Sequence, residues 1–252
     1  MNTFKQTHIG LRSTNQDYVE LFYNEKNHLL AVLCDGMGGH KAGDIASEMA
    51  VLQLGNEWTK TAFETAEETR QWLTSQINIE NQRIYRVSKT YSDLQGMGTT
   101  LVTAAFLDDE IVIGNIGDSR AYQWKSASEE FNLITTDHSF ANELRLSGQI
   151  TAEEAKTHSQ RHMLTRSLGV FDKVTVDFFG LKKNPTDLIL LCSDGLSNGL
   201  SNEEMKTIVA MNDTLESKAE KLTESALNNG STDNITVCLI ETDASVIKGK
   251  EE

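Results

Sequence analysis

Eight short runs rich in β-branched and apolar residues punctuate the chain, and several of them are apolar at consecutive rather than alternate positions. They predict strands at about 18–23, 29–34, 99–107, 111–115, 121–124, 174–179, 188–192 and 235–240. LLAVLC and LILLC have no polar face at all. Such strands need cover on both sides, by a second sheet, by helices, or by one of each. The segments between them carry helical spacing. Over 44–58 the apolar residues Ile45, Met49 and Leu52 recur, and over 67–88 Leu73, Ile77, Ile84 and Val87 do the same. Thr151 with Glu154 and Ser201 with Glu204 form capping-box patterns, which predict helices over 152–158 and 202–211. A further helix over 215–227 is ended by Asn-Asn-Gly. Helices grouped in pairs between blocks of consecutive strands favour an α+β fold over a doubly wound parallel sheet.

No repeat, low-complexity block or proline-rich linker interrupts the 252 residues, whose one proline is Pro185. The expectation is one domain over 1–243 and a short frayed tail over 244–252, and a monomer. No apolar run is long enough to span a bilayer, and the first residues lack the apolar stretch of a signal peptide. The expected location is therefore cytoplasmic, with no membrane partner. A net charge of −14 repels phosphate backbones, so nucleic acid is not an expected partner and divalent cations are. Cys34, Cys192 and Cys238 each sit inside an apolar run, where they are expected to pack as small core residues.

Four aspartates fall where predicted strands end or begin. Asp35 ends LLAVLC, Asp118 follows IVIGNIG, Asp194 ends LILLCS, and Asp233 precedes NITVCLI. Any one reads as a turn residue. Four gathered together would repel one another unless a cation neutralised them, and an all-oxygen set suits Mg²⁺ or Mn²⁺. His158 and His162 lack the glutamate of a metalloprotease helix, and Gly98-Thr99-Thr100 lacks the lysine of a phosphate loop. Hydrolytic chemistry at a cation held by the four aspartates would run through metal-activated water.

Taken in order, Arg12-Ser-Thr-Asn-Gln-Asp17, Asp35-Gly-Met-Gly-Gly-His40, Gly98-Thr-Thr100, Gly114-Asn-Ile-Gly-Asp-Ser-Arg120, Asp137-His-Ser139, Leu164-Thr-Arg-Ser-Leu-Gly169, Ser193-Asp-Gly-Leu196 and Asp233-Asn-Ile-Thr236 resemble the successive motifs of the PPM/PP2C family of metal-dependent protein phosphatases. The likeness is to its stand-alone bacterial serine/threonine phosphatases. It implies a four-layer α-β-β-α sandwich of two antiparallel sheets flanked by helices. It also implies one-step hydrolysis of phosphoserine and phosphothreonine on proteins, opposite a Hanks-type kinase. Two Mn²⁺ or Mg²⁺ ions would serve as cofactors, with a possible third.

Carried over by position, Asp35 bridges two ions, the Gly36 carbonyl binds one, and Asp194 and Asp233 ligate the other. Asp118 with Asp194 matches a third, weaker site. Asp17 holds metal-bound waters, and Asn234 orients the same shell. Arg12 grips the phosphate and His40 lies beside the metals. His158 contacts substrate from a flap over 138–166, where Ser159 replaces a proline common in related flaps. Gln16 and Met37 stand where eukaryotic members carry a glutamate and a histidine proposed as the general acid, which leaves a metal-bound water as the expected proton donor. The alternatives are a non-catalytic pseudophosphatase, motivated by those two residues, and a phosphatase of small metabolites.

Overall fold

The computed structural model describes residues 1–38 and 42–242. In chain order it forms β1 (Asn2–His8), β2 (Asp17–Tyr23), β3 (Leu29–Met37), α1 (Ala42–Trp58), α2 (Ala66–Thr90), β4 (Gly98–Thr99), β5 (Leu101–Phe106) and β6 (Glu110–Ile116). There follow β7 (Arg120–Lys125), β8 (Glu130–Leu133), α3 (Phe140–Leu146), α4 (Ala152–Thr157), β9 (Asp177–Lys182) and β10 (Leu188–Cys192). The described part ends with α5 (Asp194–Ser197), α6 (Asn202–Val209), α7 (Leu215–Asn228) and β11 (Ile235–Glu241). Two sheets result, with orders β1-β11-β10-β7-β8 and β2-β3-β5-β6-β9, and β4 pairs with the end of β3. Every strand pairing is antiparallel.

The consecutive apolar residues explain the layers. Along β3, Leu29, Ala31 and Leu33 enter one core with Ile189, Leu191, Cys238 and Ile240 of the other sheet. The alternate residues Leu30, Val32 and Cys34 enter a second core with Ala46, Val51, Leu54 and Trp58 of α1 and with Leu73, Ile77 and Ile84 of α2. On the far side, Leu190, Cys192, Val237 and Leu239 pack beneath Leu196, Met205, Val209 and Leu222 of α5, α6 and α7. The period of two splits each strand between an inter-sheet core and a sheet–helix core, giving the expected α+β sandwich of four layers. Each fully buried leucine contributes about 1.5–3 kcal/mol. All three cysteines are buried and free, and burial pushes the Cys192 and Cys238 thiols up to about 12.

Both capping boxes form as predicted, with the Thr151 and Ser201 hydroxyls accepting from the Glu154 and Glu204 amides. The helix over 215–227 forms as α7, extended by one residue. Some boundaries differ. Residues 99–107 are not one strand: Thr100 interrupts it because its amide turns to the Asp35 carbonyl. The strand expected over 174–179 lies instead at β9, because Val174 and Val176 pack into the α1–α2 core ahead of it. β1, β8 and α3 went unpredicted. β1 and β8 are mostly polar and half-buried or exposed, and they are recruited by pairing with β11 and β7. The tail expected over 244–252 lies outside the described residues.

Candidate active site

The carboxylates arrive from both sheets. β2 begins at Asp17, which is the direct cross-strand partner of Asp35 in β3. β3 does not end at Asp35 but runs on to Met37, pairing Gly36 with Thr99 and Met37 with Gly98. Asp35 is thus held within a strand, its amide donating to Thr100 Oγ1 and its carbonyl accepting from the Thr99 hydroxyl, each at 2.9 Å. In the other sheet β10 leads into α5, whose first residue is Asp194, and Asp233 lies two residues before the neighbouring strand β11. Asp118 lies in the turn from β6 to β7, where the chain crosses between sheets.

A cavity of about 600 Å³ joins these elements, lined by Arg12, Asp35, Gly36, Asp118, Asp194, Asp233 and Asn234 together with His162 and Met37. Gly36 has no room for a side chain, since a Cβ there would lie 2.1 Å from the Gly43 carbonyl oxygen. Asp17 is buried beneath this group. Its Oδ2 accepts from Ser193 Oγ at 2.7 Å, and its Oδ1 has no protein partner. Burial pushes the Asp17 carboxyl up to about 7, opposed by the Thr236 and Ser193 hydroxyls and reinforced by Asp194 and Asp233. Asp35 is held well above the ordinary carboxylate range by burial and then by Asp17, and Asp118 by burial and then by Asp194. Asp194 is raised by burial and by Asp233. The carboxylates form an oxygen-only cluster whose charges oppose one another. Among the described residues, no three His, Cys, Asp or Glu side chains converge closely enough to hold an ion by themselves.

Arg12 lies at the mouth, more than half exposed, its Nη2 donating to Asp233 Oδ2 at 2.8 Å. That hydrogen bond holds the guanidinium even further into its charged form. The amide of Asn234 is spent on backbone: Oδ1 accepts from Gln16 N, and Nδ2 donates to the Ile9 and Thr14 carbonyls. Asn234 therefore ties the loop that carries Arg12 to the start of β11.

His158 caps the end of α4, its ring lies beside Phe140, and it is not among the residues that line the cavity. His162, considered in the sequence only as half of a histidine pair, lines it, with Nδ1 3.9 Å from Asp194 Oδ2. Ser193 and Thr100 lie in the quoted motifs without an assigned role; Ser193 donates to Asp17 and Thr100 accepts from the Asp35 amide, while Asn198, in none of those motifs, donates to Asp194 Oδ2 at 3.1 Å. His40 lies outside the described residues.

A family model described as protein phosphatase 2C matches residues 6–231. The chain belongs to the protein phosphatase 2C family. Protein phosphatase PhpP of Streptococcus pneumoniae is 42% identical over 235 residues, covering 93% of this chain and 94% of that protein. The solved serine/threonine phosphatase of S. agalactiae superposes with a TM-score of 0.92 at 40% identity, covering 96% of this chain and 99% of its own. The catalytic domain of the serine/threonine protein phosphatase PstP, solved in complex with two manganese ions, gives a TM-score of 0.83 at 30% identity, covering 96% and 98%. The fold and the protein serine/threonine phosphatase class expected from the sequence are those of this protein phosphatase 2C chain and its relatives.

Proposed function

We propose that this chain removes phosphate from phosphoserine and phosphothreonine on proteins with the help of bound divalent cations, Mn²⁺ or Mg²⁺, and opposes a serine/threonine kinase. The observation that carries the reading is the pocket itself, where Asp35, Asp118, Asp194 and Asp233 share one cavity with Arg12. The donor set fits such ions. It is oxygen-only, it holds an orphaned buried oxygen at Asp17, and its carboxyls raise one another toward protonation.

Asp35, the Gly36 carbonyl, Asp194 and Asp233 would hold two ions, and Asp118 with Asp194 a third, with Asp17 reaching them through water. The wide spacing suits ions that keep much of their hydration. Bound there, the cations supply Lewis acidity and a nucleophile drawn from water at neutral pH. The protein's own part is positioning. Arg12 presents two parallel donors to phosphate oxygens, a fork that lysine lacks. Asn234 fixes the loop behind it, and the buried Ser193–Asp17 contact keeps the floor rigid. Residues 1–243 work as one catalytic domain, with 138–166 as a flap beside the cavity.

The test is phosphate release from a phosphothreonine peptide with and without Mn²⁺, beside an Asp194→Ala variant. Metal-dependent release that the variant loses supports the reading. No release by the parent protein at saturating Mn²⁺, with the ion bound, would replace it with a phosphoprotein-binding module.

A further inference from the structure

The cavity that holds the carboxylates also has apolar lining. Met37, Leu164, Val170 and Phe171 line it, and Phe171 is 55% exposed and Val170 38%. An aromatic ring left half in water ordinarily sits on a mobile loop or in a contact. This one sits on a loop whose backbone is held on both sides of Val170. Leu168 exchanges two backbone hydrogen bonds with Thr99, at 2.8 and 3.1 Å. The buried Asn81 side chain of α2 then clamps the next turn, accepting from Gly169 N at 2.8 Å and donating to the Phe171 carbonyl at 2.9 Å. Gly169 takes φ +81°, and a Cβ there would meet Ile84 at 2.3 Å, so the turn sits tight against α2. Val170 and Met37 close over Gly98, whose added Cβ would come within 3.0 Å and 2.8 Å of them.

From this arrangement the geometry points to a substrate subsite: Val170 and Phe171 form a fixed apolar lip that receives an apolar side chain next to the phosphoresidue of a protein substrate. The inference rests on the phosphatase reading above. Its occupant follows from continuity, because the lip lines the same cavity as Arg12 and the aspartates. A cavity of about 600 Å³ is in the size range of a whole small-molecule site and leaves room beyond a phosphoryl group. A preorganised aromatic costs little to order on binding, so its contact converts into affinity. Asn81 is a positioning residue that acts through Phe171.

The experiment compares two phosphothreonine peptides that differ only in the flanking residues, leucine in one and glycine in the other, and a small aryl phosphate. Turnover is measured with Mn²⁺, and binding of the labelled peptides by fluorescence anisotropy. The parent protein should show a KM lower for the leucine peptide by about tenfold, the equivalent of burying part of one apolar side chain. Phe171→Ala should erase that preference, Phe171→Leu should restore most of it, and Asn81→Ala should erase it with Phe171 intact. All three should leave kcat/KM for the aryl phosphate within about twofold of the parent's. A parent protein that treats the two peptides alike, or a preference that Phe171→Ala leaves unchanged, overturns the inference. So does a loss in Phe171→Ala that falls equally on the aryl phosphate. Absence of phosphate release from either peptide by the parent protein is instead a failure of the phosphatase reading. In that case tighter binding of the leucine peptide, lost in Phe171→Ala, upholds the lip, and equal binding of the two peptides overturns it.

Discussion

Asp17 and Asp35 are direct partners across the antiparallel β2–β3 pair, so two carboxyl groups occupy one rung of a sheet. Like charges in that position destabilise. Burial is the larger effect, pushing Asp17 up to about 7 and Asp35 well above its ordinary range, with Asp17 next in raising Asp35. Protons or cations between these carboxylates therefore stabilise the sheet at neutral pH.

The sign of the pH dependence follows. A carboxyl raised from 3.8 to about 7 contributes stability that is complete below the lower value and lost as pH rises through the upper one. Metal-free protein should therefore melt at a lower temperature near pH 8 than near pH 5. Asp17→Asn should flatten that slope and raise the metal-free Tm near pH 8 by roughly 5 °C while weakening Mn²⁺ binding. Differential scanning calorimetry in chelator across that range checks both.

Glu80 makes the same argument away from the site. It is wholly buried on α2, its Oε1 has no partner, and burial pushes it up to about 7 against an opposing pull from Arg83. Its stabilising protonated form is complete below 4.5 and lost as pH rises through about 7. Glu80→Gln should raise Tm near pH 8 by about 2–4 °C and leave it unchanged near pH 4. An equal shift at both pH values would mean the gain comes from packing rather than charge.

The sandwich was legible because its central strands, LLAVLC of β3 and LILLC of β10, are apolar at consecutive positions, and that pattern has few solutions. The site was legible for a different reason: its aspartates must lie at or near strand ends to converge, and strand ends can be read from composition. What escaped was whatever lacks a periodic signal. β1 is polar and exists through its pairing with β11, and Asp35 lies inside a strand because β4 pairs with the extension to Met37. Asn234 was expected to serve a metal shell, yet its amide bonds three backbone groups of residues 9–16. His162 reaches the cavity through the turn after α4, a tertiary placement that spacing from His158 does not encode.

Asn234→Ala should act through that loop. Losing three part-buried hydrogen bonds should cost about 1–3 kcal/mol of stability and raise KM more than it lowers kcat, because Arg12 is left loosely held. Chemical denaturation and a kcat against KM comparison separate the two effects.

Arg12 itself is exposed, so Arg12→Ala and Arg12→Lys should each change stability by less than about 0.5 kcal/mol. Both should raise KM for a phosphopeptide, by roughly tenfold or more, with lysine recovering little because a single ammonium cannot replace the fork. Full activity in Arg12→Lys would mean that only a positive charge is needed.

Gly36→Ala tests the closeness of the metal-side backbone. A methyl group 2.1 Å from the Gly43 carbonyl cannot be accommodated without moving β3 from α1, so a loss of more than about 3 kcal/mol is expected, seen as a lowered denaturation midpoint.

The central claim, that these carboxylates form a cation site, is tested most directly by titrating Mn²⁺ into the protein by calorimetry near pH 7 in buffers of different ionisation enthalpy. The carboxyls Asp17, Asp35, Asp118 and Asp194 are held toward their protonated forms, so binding should displace protons. The account predicts at least two ions per chain, a heat that changes with the buffer, and loss of binding in Asp35→Asn. No Mn²⁺ binding, or binding that Asp35→Asn leaves intact, would contradict it.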